Sequence, residues 1–342
     1  MCVEVWREER AEQSRRTSSG SYDSYEELQQ NFHSQGDKGW EPQYSKNLSG
    51  NRPEEKTEED WKMEKAVAEV EVSSIFIYPV KSCRGISVSQ APVTPTGFRW
   101  DRQWLVRIGN LLKDLNLVLQ APGMDVLKVS LSTPKEIADG VSVWEWSGAA
   151  LDEGADASKW FSDYLEKPCR LVRFNAASET RPVEPEYAPG HQTMFSDMYP
   201  YMLLFQESLD ALNELLKEPI PINRFRPNIL VNGCEPFSED LWTEIRIDKL
   251  TFQGVKLCSR CKVPTIDQQT GIAGPEPNDT LKKIRSDAVL RPTKKQQGRV
   301  YFGQNLVCRD SLTGGAGKGH VVKVGDLVFV LKMVSSAEEA AA

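Results

Sequence analysis

An α+β fold with a mainly antiparallel β-barrel core and flanking helices is predicted by three features of the 342-residue sequence. From Leu171 onward a helical stretch is followed by short strand-like runs separated by turns, the pattern of a sheet curled into a barrel with helices set against it. Ahead of it, Val72, Ile75, Ile77 and Val80 recur at strand spacing, and Tyr78-Pro79 forces a turn. Composition completes the case: 39% of residues are hydrophobic and the net charge is -7, which suits a chain long enough for two domains and a substantial core.

Composition also excludes function classes. An acidic balance without a basic stripe argues against general nucleic-acid binding. No apolar run approaches the roughly 18 residues of a bilayer span. The strongest, from Val324 to Leu331, is strand-like and carries Gly325 and Asp326. Without a secretory apolar segment, the seven cysteines are expected as free thiols in a reducing compartment, cytoplasmic or mitochondrial.

In chain order, residues 1–62 are rich in Gln, Ser, Glu, Gly and Asn, lack apolar periodicity and are expected to be a disordered extension too acidic for a mitochondrial transit peptide. After the first strand, Lys81-Ser82-Cys83-Arg84-Gly85 places a Lys, a hydroxyl and an Arg on a Gly-ended loop, a plausible anion cradle or simply a basic surface loop. Residues 99–106 read as a second strand with Arg102 on the face of Trp104, so Arg102 must meet a carboxylate or a bound anion. Leu111–Leu115 is ambiguous between helix and strand, and Ala121-Pro122-Gly123 is a turn. Residues 151–166 read as a helix with a core stripe of Trp160, Phe161, Tyr164 and Leu165. A further helix begins near Ser208, with Leu209, Leu212, Leu215 and Leu216 on one face and Pro219 as its stop. Arg224-Phe225-Arg226-Pro227-Asn228 sets two guanidiniums and an amide at the mouth of a strand, fitted to phosphates or heterocycles or else bridged to nearby acids. Strands follow at 250–257, 299–307 and 320–332.

Two thiols and a guanidinium share one short stretch at Cys258-Ser259-Arg260-Cys261. The pair admits four readings. A zinc site needs four ligands, and neither a second pair nor clustered histidines is present. A redox pair wants a helix after it, where Val263-Pro264-Thr265 follows. Two buried, inert cysteines at a strand edge are the plain structural alternative. The last is a thiolate beside Arg260 that ligates one heavy metal inside a bound cofactor.

At Tyr78-Pro79-Val80-Lys81-Ser82-Cys83-Arg84-Gly85, Trp100-Asp101-Arg102-Gln103-Trp104, Arg224-Phe225-Arg226-Pro227-Asn228, Glu239-Asp240-Leu241-Trp242 and Leu257-Cys258-Ser259-Arg260-Cys261 the sequence resembles the MOSC-domain proteins, most closely the mitochondrial amidoxime reducing component family in its plant-like form. The resemblance implies a MOSC-type N-terminal β-barrel domain over 70–170, a MOSC domain over 171–335 and a flexible tail over 336–342. It implies a molybdenum cofactor, Mo-molybdopterin, with Cys261 as the catalytic metal ligand. Lys81, Ser82 and Arg102 would grip the pterin phosphate, and Arg226 and Asn228 the pterin. Ser259 and Arg260 flank the ligand, Met198 and Tyr199 would contact the cofactor through their backbone, and Asn305 stands where animal members carry an aromatic residue. The implied activity is reduction of N-hydroxylated substrates, amidoximes and hydroxylamines, with electrons from NADH through cytochrome b5 reductase and cytochrome b5. A cofactor carrier, or a sulfurase-type protein, is the alternative. The sulfurase role accompanies a pyridoxal phosphate-dependent domain, for which the upstream residues leave no room. Two departures stand out. The chain skips a family segment and strand after Ile108, and an acidic tail replaces the membrane anchor of animal members.

Overall fold

The computed structural model describes residues 4–7, 70–107, 117–268, 270–312 and 320–340, all within one compact unit. The expectations for Leu111–Leu115, for the segment after Ile108 and for most of 1–62 lie outside the described residues. Glu4–Arg7 forms a short strand that pairs antiparallel with Leu117–Gln120.

The largest sheet has eight strands, ordered Val328–Met333, Trp242–Ile247, Leu250–Ser259, Tyr301–Cys308, Tyr201–Phe205, Ile229–Asn232, Glu71–Ile77 and Ile86–Val88. Within it only Tyr201–Phe205 and Ile229–Asn232 run parallel. One face buries Val72, Ile75, Leu203, Phe205, Ile229, Val231, Ile245, Phe252 and Leu306. Tyr301–Cys308 is buried along its whole length because it lies mid-sheet with cores on both faces. Gly303, with φ +84°, is required there: a Cβ would come within 2.7 Å of the Leu203 carbonyl oxygen.

Strand Glu71–Ile77 departs from simple alternation, since Val72 and Ile75 are both fully buried. A bulge explains it. Ser74 faces Leu230 and Val72 faces Val231, leaving Ser73 as the extra residue, its hydroxyl donating to the Leu230 carbonyl at 3.2 Å. Although sequence position assigns this strand to the N-terminal domain, its ladder partner is Ile229–Asn232, so the two parts of the chain are woven together at one strand end.

A second sheet of the N-terminal region is ordered Trp104–Arg107, Arg170–Phe174, Trp146–Asp152 and Ile137–Val143, and two three-stranded sheets take the strands Gln90–Thr94, Gly97–Phe98, Leu117–Gln120 and Leu127–Val129. Helix Ala155–Leu165 packs on the second sheet through Trp160 and Phe161, so the aromatic stripe is core. The helix starts later than expected because Trp146–Asp152 continues as strand and Glu153 is held in the interior, its Oε1 accepting from Trp104 Nε1 and Arg173 Nε at 2.6 Å each.

Other expectations need correction. Residues 99–103 are a turn, with the strand only from Trp104, because Trp100 and Arg102 adopt positive φ and leave the ladder. The helix near 208 spans Gln206–Asn213. Asn213 exchanges two hydrogen bonds with the Ile220 backbone, and Leu215 is exposed. The run 320–332 splits at the Gly325 turn into Val321–Lys323 and Val328–Met333. Within 336–340, expected as part of a flexible tail, Ala340 is buried with Leu257 and Tyr301.

Candidate active site

Two loops some twenty residues apart meet where strand Glu71–Ile77 ends. Lys81 N donates to the Trp104 carbonyl at 2.8 Å, Arg102 N to the Tyr78 carbonyl at 2.8 Å, and Trp104 N to the Pro79 carbonyl at 3.0 Å. Asp101 fixes the corner by accepting from Tyr78 N at 2.8 Å. This clasp brings Lys81, Ser82 and Arg102 to a cleft. Met198 and Tyr199, Arg226 and Asn228, Ser259, Arg260 and Cys261, and Asn305 from mid-sheet line the same cleft. Every site position named from the sequence therefore lines one cleft.

Backbone strain concentrates at its wall. Ser82, Arg102 and Arg226 hold φ of 67°, 44° and 59°. For residues with a Cβ such conformations cost about 1–3 kcal/mol each and persist where surrounding structure enforces them. They turn side chains inward that a regular strand would direct elsewhere.

Arg102 meets the carboxylate that its apolar surroundings demand: Nη1 donates to Asp101 Oδ2 at 2.6 Å and to Asn228 Oδ1 at 2.9 Å, and Nη2 to the Arg226 carbonyl at 3.1 Å. Asn228 is largely engaged in the protein, its Nδ2 donating to the Phe76 carbonyl at 3.2 Å. It positions Arg102 as much as it faces the cleft. Arg102 and Arg226 both lie against the Tyr78 ring, at 4.3 and 4.4 Å from its centroid. Burial, and then the neighbouring Arg102 charge, pull the Arg226 pKa down. Its Nη2 and Arg260 Nε are buried without a hydrogen-bond partner among the described residues. Orphaned guanidinium donors and mutually repelling cations fit an anionic group in the cleft.

Lys81 is not an isolated point charge, for its Nζ donates to Asp197 Oδ1 at 2.5 Å. Burial lowers the Lys81 pKa although Asp197 opposes it. For Asp197, burial acts to raise the pKa, but the Lys81 charge and hydrogen bond, with the Trp144 N–H, bring it below the usual carboxylate range. Tyr199 points its hydroxyl away, to Glu184 Oε2 at 3.1 Å, so only its backbone is left for the cleft.

The two cysteines differ in their surroundings. Cys258 is half-buried against an apolar cluster and accepts from Arg260 Nη1 at 2.9 Å. Cys261 is exposed, and among the described residues its sulfur accepts only a backbone N–H, from Val263 at 3.4 Å. The Cys261 loop is clamped. Asn278 Nδ2 donates to the Cys261 carbonyl at 3.0 Å, Arg260 N to the Val300 carbonyl at 2.8 Å, and Arg224 Nε to the Pro264 carbonyl at 2.7 Å. The second arginine of the Arg224–Asn228 stretch thus faces the cleft and the first serves the loop. The pair stands at a strand end before a three-residue 3-10 turn, unlike a helix-opening redox pair. Among the described residues no group of three or more His, Cys, Asp or Glu could hold a metal ion, so a four-ligand zinc site is not built there. One accessible thiol, with one guanidinium nitrogen each of Arg226 and Arg260 left without a partner among the described residues, fits a group that brings its own remaining ligands.

Comparison with known proteins bears on this arrangement. Residues 190–329 match the MOSC domain, and residues 69–110 and 105–168 match the MOSC N-terminal beta barrel domain in two pieces. The chain is 35% identical to the mitochondrial amidoxime reducing component 2 of Bos taurus over 286 residues, covering 75% of this chain and 82% of that one. The chain belongs to the amidoxime reducing component family. The human mitochondrial amidoxime-reducing component 1 is 32% identical over 291 residues, covering 76% of this chain and 82% of the human one. A molybdenum cofactor sulfurase of Oryza sativa subsp. japonica is 28% identical over 290 residues, 34% of its own length. Family membership thus ties the fold and cleft to proteins of molybdenum cofactor chemistry. Both animal relatives are named as mitochondrial. No helix among the described residues is long and apolar enough to cross a membrane.

Sequence reasoning named no role for Asp197, Cys258, Phe225 or Met202 as separate cleft contacts. The clamp Arg224 was legible only as one of two guanidiniums at a strand mouth, and the clamp Asn278 carried no signal, because each acts through a backbone carbonyl remote in sequence.

Proposed function

We propose that this chain reduces N-hydroxylated compounds, amidoximes and hydroxylamines, with Mo-molybdopterin held in the cleft and electrons passed from NADH through cytochrome b5 reductase and cytochrome b5. The observation that carries the reading is the accessible Cys261 thiol in the same cleft as the orphaned donor of Arg226. Cys261 would complete the metal's coordination. Lys81, Ser82 and Arg102 would hold the anionic phosphate through charge-assisted contacts that resist dissociation, and Arg226 and Asn228 would hold the pterin. When bound, the group supplies two-electron chemistry by which N–OH, two electrons and two protons become N–H and water. The protein's part is to bind, to orient and to fix the charge around the thiolate.

Loading the full chain with the cofactor, counting molybdenum and pterin per chain, and assaying benzamidoxime with NADH and the two cytochrome b5 components tests the reading. Reduction at roughly one molybdenum per chain supports it. Stoichiometric cofactor with no N-reduction supports the second reading, a carrier or sulfurase-type protein, which the similarity to the rice sulfurase favours.

A further inference from the structure

Strands Ile137–Val143 and Trp146–Asp152 form a hairpin closed by the Val143–Trp146 pair, with Trp144 and Glu145 as its two-residue turn. Trp144 holds φ +55°. Gly, Asn or Asp suits such a position, so a tryptophan does nothing for the turn. Nor does it serve a core, being 67% exposed. Its one polar atom is committed, because Nε1 donates to Asp197 Oδ1 at 3.1 Å, the oxygen that also receives Lys81 Nζ. Both of those partners line the cleft.

The rim that carries Asp197 is tied down by one arginine. Arg181, itself buried, donates to the carbonyl oxygens of Met194, Ser196 and Asp197. The Asp197 side chain is 67% exposed, and its Oδ2 takes no hydrogen bond from the described residues. An indole tethered by its N–H, with its ring in solvent, therefore stands beside a carboxylate oxygen open to a donor.

We propose that Trp144 is a positioning residue that selects flat aromatic N-hydroxylated amidines, which stack on its indole while their N–H or O–H donates to Asp197 Oδ2. This rests on the reductase reading above. Planar conjugated ligands gain from an aromatic face, and a planar amidinium product gains a cation–π contact as well. Small aliphatic hydroxylamines offer no ring to stack and gain nothing from Trp144.

The test uses full-chain holoenzyme, wild type against Trp144→Ala and Trp144→Phe, with reduced methyl viologen as electron donor. In Trp144→Ala the ratio of kcat/KM for benzamidoxime to that for hydroxylamine is expected to fall about tenfold, through KM, with molybdenum content unchanged. Trp144→Phe should keep the ratio within about threefold, because the ring remains. A loss as large as that of the alanine variant would assign the role to the Asp197 hydrogen bond and overturn the platform. An unchanged ratio, or equal losses on both substrates, also overturns it. So does a defect seen only when cytochrome b5 is the donor, since Trp144 would then belong to a protein-docking surface. Benzamidine binding by equilibrium dialysis reads the platform without turnover. Weakening of about tenfold in Trp144→Ala supports it even if wild type reduces no N-hydroxylated compound, in which case the reductase reading alone fails. Equal benzamidine binding by both proteins, or none by wild type, overturns the platform whatever the activity.

Discussion

Arg102 and Asp101, adjacent in sequence, form an ion pair of 2.6 Å at a turn where the arginine has positive φ and the aspartate is almost wholly buried. The same carboxylate, through its other oxygen, holds the Tyr78 backbone N–H that aligns the Lys81 loop. Charge for the cleft and geometry of the cleft are thus coupled in two neighbouring residues.

Arg102→Ala should accordingly do two things. It strands a buried carboxylate, which costs about 3–5 kcal/mol, and it removes a cation from the anion site. A lower melting temperature and loss of cofactor on dialysis are both expected. Adding Asp101→Asn should recover much of the stability and none of the cofactor retention. Recovery of both would mean that Arg102 serves the fold alone.

Cys261→Ala is expected to abolish molybdenum retention, measured by metal analysis of the dialysed protein, while Cys258→Ala keeps most of it. The half-buried Cys258 sulfur is held by Arg260, and its loss opens a small void of roughly 1 kcal/mol. Equal loss of metal in the two variants would point to a paired-thiol site.

Asp197→Asn takes the charge from the carboxylate that holds Lys81 Nζ. Lys81 should then answer an anion more fully, and inorganic pyrophosphate should bind the cofactor-free protein roughly threefold more tightly by calorimetry. Weaker binding would show that Asp197 matters by ordering Lys81. Lys81→Ala should weaken binding in either case.

Glu239 governs a pH effect away from the cleft. It is fully buried, accepts from Ser208 Oγ at 2.8 Å, and leaves Oε1 without a partner among the described residues. Burial, then the neighbouring Asp240 charge, push its pKa up to about 8, against the opposing charge of Arg285. The folded state therefore binds a proton that the unfolded chain releases at lower pH. This contribution is greatest below the ordinary glutamate range and is lost as pH rises toward 8. Melting temperature should fall over that window, and Glu239→Gln should flatten the slope and raise the melting temperature at pH 8 by several degrees. A wild-type profile flat from pH 5 to 8 would contradict the assignment.

The sequence alone determined the fold class, several strands of the large sheet and the core role of the Trp160–Phe161 stripe, which rest on side-chain period and turn residues. The positions that reach the cleft were implied by the family resemblance that short motifs such as Cys258-Ser259-Arg260-Cys261 carry. Legibility ended where a backbone left its regular path. The bulge at Ser73 and the positive φ of Ser82, Arg102 and Arg226 follow from tertiary hydrogen bonds, so period counting put 99–103 in a strand and the helix from Gln206 too far along the chain. Pairings between distant segments were equally hidden: Lys81 with Asp197, Trp144 with Asp197, Arg224 with the Pro264 carbonyl, and Glu4–Arg7 with Leu117–Gln120. The tertiary structure also separated two cysteines alike in sequence. It put Cys258 against Arg260 and an apolar cluster, and left Cys261 exposed at the cleft, because the strand ends between them and the chain turns outward into the 3-10 segment.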